Sequence, residues 1–81
     1  MKMLVFSVRD SAAEYYQEPV FARTRAEIIR SLQNALGDPK APFSQHAEHF
    51  ALFEVGTFDT DTGMLVAHNA PVLVVGVWDL K

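Results

Sequence analysis

Guanidinium groups and aromatic rings interleave through residues 6–30: Phe6, Arg9, Tyr15, Tyr16, Phe21, Arg23, Arg25 and Arg30. Cations that meet phosphates, together with ring faces on which bases stack, are the chemistry that holds a single-stranded polynucleotide, and they do so without a basic protein overall. With Lys40 added, Arg9, Arg23, Arg25 and Lys40 are the candidate phosphate contacts, and Tyr15 and Tyr16 the candidate stacking rings. Amphipathic patterning accounts for the same residues without a ligand: Phe6 and Phe21 as core, one tyrosine at its edge, the arginines in solvent. On the residues alone the plainer account is favoured.

Other chemistries find less support. His46-Ala47-Glu48-His49 brings two imidazoles and a carboxylate together, but a structural metal site needs four ligands and only His68 and scattered acids remain to supply them. A solvated loop without metal is expected. Asp59, Asp61 and Gly63 have the spacing that opens a calcium loop, yet Met64-Leu65-Val66 follows where further ligands are required, so a hairpin turn is expected. Ser7, Ser11, Ser31 and Ser44 lack a G-x-S-x-G setting, and no glycine-rich phosphate loop is present. With no cysteine there is no thiol nucleophile, thiolate zinc site or disulfide. A chain of 81 residues also leaves little room for a deep pocket. The expectation is a protein that is not an enzyme, with no catalytic residue and no cofactor.

Such a chain makes one domain, residues 1–81, and hides only about 60 % of its unfolded surface on folding, so a second copy is a natural source of stability. The formal charge of −3 argues against a duplex-DNA binder that relies on bulk positive charge. Its distribution is uneven. Residues 1–40 carry six Lys and Arg against five Asp and Glu, whereas residues 41–81 carry one against five. The apolar run Met3–Phe6 is too short for a signal peptide, and Ala70–Trp78 is far below the roughly 20 residues that cross a bilayer. A soluble protein with no membrane partner, acting in the cytoplasm, is expected.

The elements that must position these residues are legible in outline. Lys2–Arg9 reads as a strand with Leu4, Phe6 and Val8 on one face and Met3, Val5 and Ser7 on the other. Ala12–Gln17 has room for a helical turn before Pro19, and Pro19-Val20-Phe21 reads as extended. Thr24-Arg25-Ala26-Glu27 has the pattern of a capping box, and Ile28, Ile29, Leu32, Ala35 and Leu36 form an apolar stripe, which predicts a helix over 25–36. Gly37 is expected in the left-handed conformation that ends it, with Pro39 preventing resumption. Asp38–Glu48 reads as an irregular loop pinned by Phe43. Two strands flank the turn Asp59–Gly63, with Gly56 marking a bulge or close backbone approach. Asn69–Pro71 is expected to break the chain, and Val72–Leu80 to form a last strand with Val72, Val74, Gly76 and Trp78 on one face. The resulting fold class is α+β, a single helix packed on a small, mostly antiparallel sheet in the order β-α-β-β-β.

Val5-Phe6-Ser7-Val8-Arg9-Asp10-Ser11, Ala13-Glu14-Tyr15, Pro19-Val20-Phe21, the segment Thr24–Arg30, the Asp38–Phe43 loop, Glu48–Asp59 and Thr62-Gly63 resemble the small nonstructural proteins of gokushovirus-type microviruses, phages with single-stranded DNA genomes. The resemblance covers nearly the whole chain and is weakest after Asn69. It implies a nonstructural, DNA-binding-type protein of the host cytoplasm, linked to the turn from duplex replication to single-strand synthesis and packaging, and it carries over no catalytic residue. Two roles follow as expectations: a non-enzymatic homodimer on single-stranded DNA, or a module that docks on phage replication or procapsid proteins without touching DNA.

Overall fold

The computed structural model describes residues 1–80, leaving aside the side chain of Pro42. Strands β1 (Lys2–Asp10), β2 (Tyr15–Tyr16) and β3 (Val20–Ala22) precede helix α1 (Arg25–Leu36). A short helix α2 (Pro42–Gln45) and a 3-10 turn (Ala47–His49) lead to β4 (Phe50–Asp59) and β5 (Leu65–Gly76), and a second 3-10 turn spans Val77–Leu80. All strand pairings are antiparallel. The order is β2-β1-β4-β5, with β3 also on the outer side of β1, so β5 is a free edge. The α+β class and the single main helix on one face agree with the sequence.

That face holds the core. Leu4, Phe6 and Val8 of β1, Phe50 and Leu52 of β4, Ala22 of β3, and Ile28 and Leu32 of α1 pack together, closed at one end by Val77 and Ala47. Phe6, Leu52 and Val77 are fully buried. The helix starts at Thr24 as predicted, with Thr24 Oγ1 accepting from the Glu27 amide at 3.1 Å, while the return bond of the capping box falls one residue upstream, Glu27 Oε1 accepting from the Arg23 amide at 3.2 Å. Phe43 packs on the core beside Phe50, as its loop required.

Several local expectations are corrected. Ala12–Glu14 form a turn, not part of a helix, because the Asp10 carboxylate accepts from the amides of Ala12 and Ala13 and Glu14 takes a positive φ of 59°, which returns the chain as β2. Gly37 is right-handed at φ −71°; the helix instead tightens into three-residue bonds, Gly37 to Asn34 and Asp38 to Ala35, before Pro39. The Asp38–Glu48 loop contains α2 and runs into the 3-10 turn Ala47–His49. Asn69–Pro71 does not divide two strands, since β5 runs through it as a wide bulge, and the last strand ends at Gly76. Register shifts again at Val74, so Val72 and Val75 share a face with Leu52 and Glu54, while Leu73 and Gly76 take the other.

Gly56 fulfils its expectation of close approach. A Cβ there would collide with the backbone carbonyl of Val66 on β5. Gly56→Ala is therefore expected to lower stability by about 1–3 kcal/mol through overpacking, and Thr24→Ala by about 1 kcal/mol through loss of the cap. Urea unfolding followed by circular dichroism measures both; an unchanged midpoint for Gly56→Ala would mean that the two strands do not meet there.

Candidate functional site

The sheet face opposite α1 is built by register. Directly paired residues point the same way, so Met3, Val5, Ser7 and Arg9 of β1 share this open face with Tyr16 of β2, Phe21 of β3, and Phe58, Gly56, Phe53 and Ala51 of β4. Leu65, Ala67 and Leu73 of β5 continue it. Phe53 and Phe58 are five residues apart, and strict alternation would put them on opposite faces. Val55 is one extra residue in β4, between the pairs Phe6–Glu54 and Val5–Gly56, and that bulge brings both rings to the same side.

Two ring pairs result. Tyr16 meets Phe53 edge to face, with centroids 5.6 Å apart and planes at 75°, and Phe21 meets Phe58 likewise at 5.7 Å and 77°. Each pair takes one ring from the outer strands and one from β4, so the rings reach across β1, with Val5 and Ser7 buried among them. The Arg9 guanidinium carbon stands 5.7 Å from the Tyr16 ring centroid, a cation–π arrangement. Tyr16 remains 43 % exposed and Phe21 49 %. Beside them, Val5, Pro19, Val55, Gly56, Leu65, Val66 and Ala67 line an apolar cleft.

No Asp or Glu lies at the open-face positions that register assigns. Five of the ten acids are engaged elsewhere. The carboxylates of Asp10, Asp38 and Asp59 accept backbone amides in turns, and Glu27 serves the helix start. Glu54 faces the helix side, where its Oε1 accepts from Arg25 Nε at 3.1 Å and its Oε2 lies 2.7 Å from His68 Nε2. An ionised carboxylate only accepts, so the proton of that second bond sits on His68 Nε2.

The sequence-predicted residues are thus divided. Arg9 and Tyr16 come together on the open face. Arg23 is exposed one residue beyond β3, at the Phe21 end of the same face. Tyr15 is 52 % exposed but pairs with Asp10, which places it on the helix side. Arg25 is engaged by Glu54 on the helix side. Lys40 lines a cleft with Asp10, Gln45, His46 and His49, away from the rings. Phe53 and Phe58 escaped notice in the sequence, and the one signal for them was Gly56, which marked the bulge that aligns them. Glu54 and His68 carried no mutual signal, being joined only by strand pairing. Among the described residues no group of three or more potential metal ligands converges.

Burial pushes the Glu54 carboxyl upward, but the hydrogen bonds from His68 and Arg25 and the charge of Arg25 outweigh it, and its pKa lies below the ordinary 4.5. A group so depressed stabilises the fold above its unfolded pKa and loses that contribution as pH falls through the folded value. Glu54→Gln is expected to cost on the order of 1–3 kcal/mol at pH 7 and progressively less below pH 4.5. Thermal melts at a series of pH values measure this; a deficit that does not shrink on acidification would show that the carboxylate charge is not what matters.

No curated protein and no solved structure matches the chain. A family model described as Phage ORF5 protein matches residues 3–80, nearly the whole length. This small α+β chain therefore belongs to the phage ORF5 protein family.

Proposed function

We propose that the protein associates with single-stranded DNA through the open face of its sheet, as a non-enzymatic phage protein acting at the switch to genome synthesis or packaging. The observation that carries this reading is the presence of two exposed aromatic clusters and Arg9 on a face whose strand positions hold no carboxylate. Sheets that bind single strands offer such rings to successive bases, each stacked base contributing about 1–3 kcal/mol. β1 places the two clusters several residues apart along one strand at about 3.3 Å per residue, a span that suits separate bases of one polynucleotide. The strand positions of this face carry no Asp or Glu, which lessens the repulsion that a net charge of −3 would otherwise bring to it. The likeness to nonstructural proteins of single-stranded DNA phages supports the choice of polynucleotide.

In this reading Arg9 and Arg23 meet phosphates, Tyr16, braced edge-on by Phe53, stacks on one base, and Phe21, braced by Phe58, on another. Tyr15, Arg25 and Lys40 fall outside the contact. The second reading, docking on phage replication or procapsid proteins without DNA, is favoured by the net negative charge and by the uncharged apolar length of β5.

Fluorescence anisotropy with labelled oligonucleotides at low salt tests the proposal. Tyr16→Ala and Phe53→Ala are each expected to weaken binding by about 1–3 kcal/mol, whereas Lys40→Ala leaves it unchanged. Two phosphate contacts at about −0.7 each predict a shallow log–log salt slope near −1.4. Absence of binding at protein concentrations of about 100 µM, the weak end of non-specific association, would remove the DNA reading. Recovery of a phage protein in a nuclease-treated pull-down would then support docking.

A further inference from the structure

We infer that β5 is the seam of a homodimer in which its free edge pairs antiparallel with the β5 of a second copy. An edge strand exposes a row of unpaired amides and carbonyls, and natural edges are kept short, charged or covered. β5 is none of these, though the bulge at His68–Pro71 interrupts it. It is twelve residues long, and from Gly63 to Trp78 the sequence contains no Lys, Arg, Asp or Glu. Its apolar side chains are exposed on both faces: Leu65 at 64 % and Leu73 at 55 % on the open face, Val66 and Val72 on the helix side. Met64 and Trp78 extend the patch at either end of the strand.

Charge and area together select a second copy as the occupant. Two molecules of net charge −3 repel, and the uncharged edge is where they can meet at least cost. A partner of opposite charge would find no cation or anion there to select it. Six apolar side chains, each roughly half exposed, together with the main-chain edge, approach the about 800 Å² per partner of a standard interface. The opposite edge of the sheet is built from strands of two and three residues, β2 and β3, and offers β5 no matching length. Pairing of β5 with itself is therefore isologous, and it closes as a dimer instead of propagating as a fibre. The wide bulge at His68–Pro71, where Pro71 has no amide to donate, interrupts the edge between Leu65–Ala67 and Val72–Gly76 and limits the pairing to those stretches.

Size exclusion with light scattering, without DNA, tests this independently of the nucleic-acid reading. The wild-type protein is expected at the mass of two 9.1 kDa chains. Leu65→Lys with Leu73→Lys, both at exposed positions, is expected to raise the dimer dissociation constant by at least about 100-fold while retaining the wild-type circular dichroism spectrum. Hydrogen exchange on the wild-type protein provides the second measurement, with β5 amides becoming more protected as concentration rises through dimer formation. A monomeric wild type, a dimer that survives the double substitution, or β5 amides indifferent to association would each overturn the proposal. Loss of the dimer in Tyr16→Ala, on the outer strand farthest from β5, would also overturn it, by moving the contact to the other side of the sheet.

Discussion

One inserted residue sets the two faces of this sheet. Val55 lets β4 gain a position against β1, and the alternation of side chains changes phase there. Phe53 before the bulge and Phe58 after it consequently share the open face, where each receives a ring from the outer strands. Glu54, immediately before the bulge, is left on the helix side between Arg25 and His68. Gly56 is what permits the arrangement, since β5 crosses too close for any side chain at that point. Without the extra residue, Phe58 and Phe53 would fall on opposite sides and the second ring pair would not form.

Glu54 ties three parts of the chain that are distant in sequence. Arg25 is the first residue of α1, His68 opens the wide bulge of β5, and Glu54 stands between them on β4. A carboxylate that is largely buried is costly unless it is paired, and here each oxygen has its own donor. The cluster therefore fixes the start of the helix over the sheet and holds the bulged segment of β5 against its neighbour. It also withdraws Arg25 from any role at the open face.

Much of the fold was legible because it rests on local patterns. The capping box at Thr24, the apolar stripe of α1 and the turn chemistry of Asp59–Gly63 each act within a few residues, and each formed where its residues directed. Elements governed by chain pairing were not legible. The β5 bulge reads in sequence as a break, because Asn69-Ala70-Pro71 has the composition of one; β4 nevertheless holds both halves in one strand. The same limit applied to the site. Arg9 and Tyr16 were visible as types, but their union depends on the turn at Glu14, and the companionship of Phe53 and Phe58 depends on a phase change that no residue count reveals. Tyr15, Arg25 and Lys40 had the right chemistry, and topology sent them elsewhere.

The tail of β5 carries one more consequence. The indole of Trp78 lies directly over Gly76, so closely that any side chain at position 76 would displace it. It is the sole tryptophan of the chain and is 48 % exposed. The molecule thus possesses an intrinsic fluorophore stationed beside its outermost strand and half shielded from water. Its emission wavelength and quenching by small solutes give a label-free view of that border, separate from the tyrosine signal at the opposite margin of the sheet.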